Sequence, residues 1–156
     1  MAKTVKTDRI NIQSVATLSG LFQERVKRSA HQVAYQEYNS HQKIWQGYTW
    51  EQTAREAARW QMAFFQEGLQ AGDRIAIMVA NSWHWVVFDQ AALASGLVTV
   101  PLYTNDRPGN VAHIIQDAGV KLLLIENLAQ WHKLSLALKE LNGLERVVTL
   151  QPCPDA

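Results

Sequence analysis

Two histidines in this sequence have neighbours that could give them a chemical role. His113 and Asp117 are four positions apart, so on a helix they share a face, and the carboxylate could orient the imidazole as a general base. An ordinary surface pair is the favoured interpretation of that spacing. His84 lies between two tryptophans just after a predicted strand, where it could touch a ligand. A partly buried histidine at the start of a helix is the favoured interpretation there.

The other residues with chemical potential are a single cysteine and a polar pair. Cys153 could be a reactive thiol only beside a base or helix end that favours the thiolate, and its flanking prolines favour an inert residue in an irregular exposed segment. Asn105-Asp106 could bind a metal or a ribose, but a loop that caps a helix is favoured. The sequence contains no phosphate-loop, dinucleotide, zinc-protease, C-x-x-C or G-x-S-x-G motif. The residues alone therefore show no catalytic constellation.

The composition is that of a folded, reduced protein. The chain has 156 residues, of which 47% are hydrophobic and 19% charged, which argues against disorder and predicts one domain. The net charge of +1 gives no electrostatic footprint for nucleic acid or an anionic membrane, so the six tryptophans are expected to pack in the core. One cysteine excludes an intrachain disulfide. No secretory or transmembrane segment is recognisable, and a cytoplasmic location is expected.

The first third of the chain predicts a helix followed by a β-hairpin. Apolar residues at helical spacing predict the helix from Leu18 to Arg28, with Thr17 or Ser19 as its cap. The segment from Val33 to Tyr48 favours two strands joined by a turn at Asn39-Ser40.

A second, longer helix is predicted directly after the hairpin. Thr49 and Gln52 match a capping box at its start, and Gly68 is a natural end. Its predicted buried face consists of Trp50, Ala54, Ala57, Ala58 and Phe65.

The rest of the chain alternates strands and helices. Four short apolar strands are predicted to start near residues 75, 98, 120 and 145, with a helix in each interval. This alternation predicts right-handed βαβ units, and continuous apolar strands are typical of a sheet buried on both faces. The predicted fold is therefore α/β, a mostly parallel sheet with flanking helices, preceded by a β-hairpin. Such sheets bind ligands beyond the carboxyl ends of their strands, which here are Asn81-Ser82, Tyr103 to Asp106 and Glu126-Asn127.

Several segments carry, in order, the signatures of one family. Tyr48 to Glu51 is similar to a Y-T-[WY]-x-E/Q segment, Gly72 to Met78 to a G-D-R-V-A-I strand, and Ala92 to Tyr103 to an A-x-x-x-G-x-V-x-V-P-L-Y signature. Further similar segments are Asn81 with Trp85, Pro108 to Leu124, KLLLIEN and RVVTL. From Phe22 to Leu150 the chain resembles the N-terminal part of the AMP-forming acyl-CoA synthetases, the adenylate-forming ligases. The segments V-P-L-Y and T-N-D-R-P-G-N are most similar to those of the long-chain fatty acyl branch of this family.

The resemblance implies a two-step ligase reaction. A fatty acid carboxylate and ATP give an acyl-adenylate and pyrophosphate, and the thiol of coenzyme A then displaces AMP. ATP, coenzyme A and Mg²⁺ are the implied cofactors, with Mg²⁺ neutralising phosphate charge. The family's phosphate loop, adenine motif, ribose-binding acid and catalytic lysine have no counterpart in this sequence. No catalytic residue or metal ligand is therefore assigned, and the chain by itself is expected to be inactive.

One binding loop is carried over from the resemblance. In acetyl-CoA synthetase-like members the loop after the V-P-L-Y strand approaches the CoA nucleotide, and here that loop is Tyr103, Thr104 and Asn105. Those members carry glycines at the positions of Thr104 and Asn105. A loop that only shapes the edge of the subdomain is the favoured alternative.

The expected domain organisation and partners follow from the same resemblance. Residues 1–16 are predicted to be a loose arm, and residues 17–156 an incomplete part of an AMP-binding domain, with the remainder of the synthetase covering the sheet. The expected partners are a fatty acid, ATP and CoA, with room for peripheral membrane contact but no nucleic acid. The alternative is a free-standing α/β module that binds nucleotide or CoA without catalysis. A receiver-like domain fits poorly because the strand ends lack an acidic cluster.

Overall fold

Two units, residues 1–55 and 56–156, make up the chain. The structure is a computed structural model that describes residues 8–139 and 141–153. The first unit has a two-stranded antiparallel sheet and the second a four-stranded parallel sheet. The elements of the first unit are a 3-10 turn Ile12–Ser14, helix α1 Leu18–Ser29, strands β1 Val33–Asn39 and β2 Ile44–Thr49, and the start of helix α2 Trp50–Gln66.

The start of α2 organises the first unit. The predicted capping box is confirmed, because Thr49 N–H donates to Gln52 Oε1 at 2.8 Å and Gln52 N–H donates to Thr49 Oγ1 at 3.2 Å. The next residue, Trp50, packs its ring against Phe22 of α1 and Tyr35 of β1, with centroid distances of 5.9 and 5.7 Å. The helix start thus joins α1 to one face of the hairpin.

The predicted N-terminal arm is only partly described, since residues 1–7 lie outside the described residues. Asp8 forms ion pairs with Arg25 at 3.1 Å and Arg28 at 2.8 Å. The hydrogen bond from Arg28 holds the pKa of the Asp8 carboxyl below its usual range. Part of the arm is thereby attached to α1. Of the two predicted caps of α1, Thr17 is the one observed, and its hydroxyl accepts the N–H of Gly20 at 3.0 Å.

The second unit contains the four predicted strands, and the predicted α/β class is confirmed. The strand order is β4-β3-β5-β6, and all neighbouring pairs are parallel. No helix within the described residues is both long and apolar enough to cross a membrane. The elements are the rest of α2, then β3 Arg74–Met78, α3 Trp83–Ala94, β4 Val98–Pro101, α4 Pro108–Ala118, β5 Val120–Ile125, α5 Leu128–Leu138 and β6 Arg146–Thr149.

Both faces of the parallel sheet are buried. Ile75 and Ile77 of β3 face a core shared with α2 and α3, whereas Ala76 and Met78 face a second core shared with α4 and α5. This alternation is the period of a strand. It explains why residues 75–78 of β3 and 122–125 of β5 are continuously apolar in sequence, since each of them lies in one core or the other.

The predicted buried face of α2 was partly wrong. Phe65 is 78% exposed and Ala58 is also exposed, whereas Phe64 is 1% exposed and packs edge-on against Phe88 of α3. Ala57 and Phe64 are seven residues apart and so share a face, whereas Phe65 is rotated by one further position. Because Phe64 and Phe65 are adjacent, the sequence pattern alone did not show which of the two rings faces the core.

The G-D-R segment, Gly72 to Arg74, forms hydrogen bonds that connect α4 and β5 at the amino edge of the parallel sheet. The guanidinium of Arg74 donates to the carbonyl of Ala118 at 2.7 Å and to that of Gly119 at 3.3 Å, which are the last carbonyls of α4. Gly119 has φ 62°, and a Cβ there would lie 2.7 Å from Arg74 Nη2. The glycine therefore suits the left-handed helix cap, and the flexible end of the Arg74 side chain would have to shift to admit a Cβ there.

Asp73 provides the second half of this connection. Its carboxylate accepts the N–H of Gln70 at 2.8 Å and the ammonium of Lys121 on β5 at 2.9 Å. The Gln70 N–H first, and the Lys121 charge next, hold the pKa of Asp73 below its usual range. The carboxylate therefore stays ionised at neutral pH and ties the turn before β3 to the neighbouring strand.

Replacement of Gly119 tests this packing. Gly119→Ala is expected to lower the free energy of unfolding by the roughly 1–2 kcal/mol that a left-handed alanine costs, and slightly further because the Arg74 guanidinium must shift from the new Cβ and weaken its bond to the Gly119 carbonyl. The matched control is Gly68→Ala, where φ is 74° but nothing lies within 4 Å. Urea unfolding measures both. Equal losses in the two variants would show that the Arg74 contact contributes nothing.

Candidate functional site

The loops predicted to carry the site do lie at one edge of the parallel sheet. Strands β3, β4 and β5 run in the same direction, so the loops after Met78, Pro101 and Ile125 emerge together. After β4 the chain crosses over β3 to form β5, which makes the gap between β3 and β5 the topological switch point. Ligands of doubly wound sheets commonly bind at that point.

The switch point in this protein is closed by one of its own side chains. Gln130 of α5 donates through Nε2 to the carbonyl of Met78 at 3.0 Å and accepts through Oε1 the N–H of Glu126 at 2.7 Å. Asn127 caps the same helix by accepting the N–H of Gln130 at 3.0 Å. The sequence analysis missed Gln130, although an amide three residues after a capping asparagine is a recognisable signal.

The larger of two cavities that Asn81 and Trp85 line at this edge, here named the main cavity, lies instead between β3 and β4. Its volume is about 500 Å³. The indole of Trp85 reaches it because Ser82 caps α3, accepting the N–H of Trp85 at 3.2 Å, and so places that residue in the first turn. A smaller cavity of about 270 Å³ also involves Asn81 and Trp85. The lining residues of the main cavity are Val79, Ala80, Asn81, Trp85, Pro101, Leu102, Tyr103 and Thr104.

Two of the three predicted binding residues line this cavity. Tyr103 and Thr104 do so, and the ring of Tyr103 is 85% exposed. Asn105 is exposed in the turn that follows and is not among the lining residues. Asp106 closes that turn, and its carboxylate accepts the N–H of Arg107 at 2.8 Å and the side-chain amide of Asn110 at 3.0 Å. Asp106 therefore orders the turn before α4, but the N-cap of the helix is Arg107, which makes no side-chain cap hydrogen bond, so the capping interpretation of the sequence was wrong.

The other candidate residues lie away from this cavity. His84 is exposed, so the expectation of a partly buried histidine was wrong, and it lines a separate cavity of about 340 Å³ with Trp60 and Thr149. Cys153 is half-buried, with its sulfur 3.5 Å from Thr149 Oγ1. His113 and Asp117 are both exposed on α4. None of these residues shares a cavity with Tyr103 and Thr104.

The chemistry of the main cavity is neutral and aromatic. Asn81 and Thr104 bring an amide and a hydroxyl, and Trp85 and Tyr103 bring rings, but no Lys, Arg, Asp or Glu is among its described lining residues. Within residues 8–139 and 141–153, no group of three or more His, Cys, Asp or Glu could hold a metal ion. The cavity can bind a flat or amide-bearing ligand by stacking and hydrogen bonds.

A doubly wound parallel sheet with a cavity beyond its strand ends defines a class of ligand-binding α/β proteins. Within that class, the family model described as "AMP-binding enzyme" matches residues 22–155 of this chain. The chain belongs to this family, which confirms the resemblance to the acyl-CoA synthetases.

Individual relatives agree with this assignment. The chain is 32% identical over 83 residues to the long-chain-fatty-acid–CoA ligase FadD15 of Mycobacterium bovis, which is 53% of the chain and 14% of that protein. It is 37% identical over 79 residues to the fatty acid–[acyl-carrier-protein] ligase ScoC of Streptomyces coeruleorubidus, 51% of the chain and 15% of that protein. The matched part of the chain thus covers about one seventh of the length of these curated relatives.

A solved structure agrees in fold. The fatty acyl CoA synthetase of Mycobacterium tuberculosis superposes with a TM-score of 0.74 at 20% sequence identity. The match covers 85% of this chain and 26% of that one. At this identity the likeness shows that the two share a fold.

Removal of the Gln130 side chain tests its role at the switch point. Gln130→Ala leaves the Met78 carbonyl and the Glu126 N–H without their partner, and we expect a loss of about 1–3 kcal/mol in the free energy of unfolding. Gln130→Glu keeps the acceptor for Glu126 but sets a carboxylate oxygen against the Met78 carbonyl, so it is also expected to be less stable than the parent chain. Denaturant unfolding measures both, with exposed Gln116→Ala as the control. A Gln130→Ala variant as stable as the control would contradict the bridge.

Proposed function

We propose that this chain is the N-terminal part of a fatty acid–CoA ligase, of the long-chain branch. The observation that carries the proposal is the match to the AMP-binding enzyme family over residues 22–155, and the ligase names of the relatives support the choice of substrate. The proposed reaction joins a fatty acid carboxylate to the α-phosphate of ATP, releases pyrophosphate, and then transfers the acyl group to the CoA thiol with release of AMP. Residues 17–156 are proposed to be an incomplete part of the domain that performs it.

Within this reaction the chain is proposed to contribute to binding of CoA. The cavity between β3 and β4 offers the rings of Trp85 and Tyr103 for stacking and the polar groups of Asn81 and Thr104 for hydrogen bonds. These groups fit the adenine base or the amides of CoA, whereas the neutral lining supplies no charge for its phosphates. Asn105, exposed in the adjoining turn, is proposed to contact the part of the ligand that extends out of the cavity.

The chemical steps are proposed to depend on residues outside this chain. The cavity has no described acid, base or nucleophile in its lining, and the phosphate loop and catalytic lysine that the family uses have no counterpart in the sequence. Mg²⁺, which offsets phosphate charge during adenylation, is assigned no ligand here. The proposed cytoplasmic location matches that of the soluble substrates ATP and CoA.

A second candidate is a free-standing module that binds CoA or a nucleotide without catalysis. The observation in its favour is that β3, β4 and the start of α3 form the cavity from this chain's own residues. The two candidates share the binding site and differ in whether the chain works as part of a complete ligase or by itself.

Exchange of pyrophosphate into ATP distinguishes activity from binding. The purified chain, given a long-chain fatty acid, ATP and Mg²⁺, is expected to show no exchange above a protein-free blank, because it lacks the groups that stabilise the α-phosphate transition state. A complete fatty acid–CoA ligase assayed in parallel is the positive control. Exchange that depends on the fatty acid would contradict the proposal that the chemistry lies outside this chain.

Calorimetric titration with CoA tests the proposed site. We expect saturable binding that Thr104→Trp weakens by about tenfold or more, a change of about 1.4 kcal/mol, because the larger ring fills the cavity. Gln116→Trp, which adds the same ring on the exposed face of α4, is expected to bind CoA as the parent chain does. Absence of binding by the parent chain, or equal affinities in both variants, would contradict the placement of CoA between β3 and β4.

A further inference from the structure

The turn between α5 and β6 contains a dipeptide that occurs nowhere else in the chain. Of the asparagines in the sequence, only Asn142 is followed by a glycine, Gly143. Asparagine is a chemically labile residue, because the backbone nitrogen of the next residue can attack its side-chain carbonyl carbon. A glycine in the next position favours that attack, since it has no Cβ to hinder the approach. The sequence of this turn therefore combines an electrophile with an unhindered nucleophile.

The conformation of the turn leaves both groups accessible. Asn142 and Gly143 are exposed to solvent. Gly143 has φ 102°, and nothing lies within 4 Å of the position that its Cβ would take. Within residues 8–139 and 141–153, no hydrogen bond holds the side-chain amide of Asn142. The amide is therefore free to rotate toward the Gly143 nitrogen, and water reaches both.

Asn39 shows the opposite arrangement in the same chain. It is followed by Ser40, which is also small. Its side-chain oxygen, however, accepts the N–H of His41 at 3.1 Å and that of Gln42 at 3.0 Å. Two hydrogen bonds fix this amide in the turn, so it is held away from the nitrogen that would attack it.

The residues around Asn142 are anchored on both sides. Leu141 and Leu144 pack against the same core, the one between the parallel sheet, α4 and α5. Directly after them, the N–H of Glu145 donates to the carbonyl of Lys121 on β5 at 2.7 Å. The turn thus sets where β6 begins, and β6 is a strand of four residues that pairs with β5 alone among the described strands.

We propose that Asn142 is a site of spontaneous deamidation that converts it to aspartate and isoaspartate. The Gly143 nitrogen gives its proton to a base and bonds to the side-chain carbonyl carbon of Asn142. The bond from that carbon to the amide nitrogen breaks, and ammonia leaves. Water then opens the five-membered imide at either of its carbonyls. The sum of the steps consumes a water and releases an ammonia, with no oxidation or reduction.

The isoaspartate product changes the path of the backbone. Opening of the imide at the main-chain carbonyl routes the chain through the side-chain carbon, which adds an atom to the main chain between Leu141 and Leu144. It also leaves a new carboxylate two positions after the anchored Leu141 and close in sequence to Glu145. Because both leucines are packed in the core, the longer turn displaces the start of β6. The inference goes beyond the proposed function, since it requires neither CoA nor fatty acid.

Incubation of the folded 156-residue chain tests the proposal. Samples are kept in mildly alkaline buffer, digested and mapped by mass spectrometry, and isoaspartate is detected by transfer of a radioactive methyl group with an isoaspartyl methyltransferase. The peptide that contains Asn142 is expected to become deamidated and to accept methyl groups, whereas the peptide that contains Asn39 does neither. The rate is expected to rise from neutral to alkaline buffer, because the attacking nitrogen must lose its proton.

Two variants separate the structure of the turn from its sequence. Gly143→Ala is expected to slow deamidation of Asn142 by about tenfold or more, equivalent to about 1.4 kcal/mol on the barrier. Ser40→Gly places the same dipeptide sequence at Asn39, where the two hydrogen bonds to the side-chain oxygen remain. In that variant Asn39 is expected to react at least about tenfold more slowly than Asn142 in the same sample.

A third variant tests the effect on the fold. Asn142→Gln keeps an amide but would have to form a larger, six-membered ring, so it is expected to accumulate no isoaspartate at this position. After incubation the urea midpoint of the parent chain is expected to fall, whereas that of Asn142→Gln stays at its starting value. Because Asn142 is exposed, this variant keeps the test decisive if Gly143→Ala, which is strained at φ 102°, does not fold.

Three outcomes would overturn the proposal. These are a folded parent chain that stays unmodified at Asn142, equal rates of deamidation at Asn142 and at Asn39 in the Ser40→Gly chain, and equal falls of the urea midpoint in the parent chain and in Asn142→Gln. Circular dichroism before incubation shows whether each variant is folded. If Ser40→Gly is not folded, Asn39 of the parent chain serves as the comparison in its place.

Discussion

The parallel sheet of the second unit must be covered on both faces, and most of the structure follows from that constraint. Alternate residues of β3 enter opposite cores, Ile75 and Ile77 on one side and Ala76 and Met78 on the other. Helices α2 and α3 supply one cover, and α4 and α5 supply the other. Each helix returns the chain to the amino edge before the next strand begins, and there Asp73 and Arg74 bond to β5 and to the end of α4. The carboxyl edge is left for loops.

The two edges therefore have different roles, and family signatures occur at both. At the amino edge the G-D-R segment is structural, since Asp73 holds Lys121 and Arg74 holds the end of α4. At the carboxyl edge the V-P-L-Y strand leads into the cavity that includes Tyr103. Gln130 closes the switch point, which explains why the larger cavity lies one strand further, between β3 and the edge strand β4.

The first unit differs from the second, because the described residues pack on one face of its two-stranded sheet and leave exposed rings on the other. Trp50 covers one face through Tyr35, whereas Tyr38 and Trp45 are exposed, so Trp45 is an exception to the expectation that the tryptophans pack in the core. Totals over the whole chain conceal such differences, since the positive charge of residues 1–55 nearly cancels against the negative charge of residues 56–156. Composition describes a chain best when it is counted by unit.

The sequence by itself determined the elements, because their signals are local. Capping at Thr49 and Ser82, the apolar runs of the strands and the polar loops after them predicted the α/β class and the edge of the sheet at which the cavity lies. It could not choose between Phe64 and Phe65 or predict the exposure of His84, since both depend on what packs against a helix. Only the tertiary structure decided the strand order, the closure of the switch point and the uncovered face of the hairpin. The bond from Gln130 to Met78 joins residues 52 positions apart, and no local pattern specifies a contact at that separation.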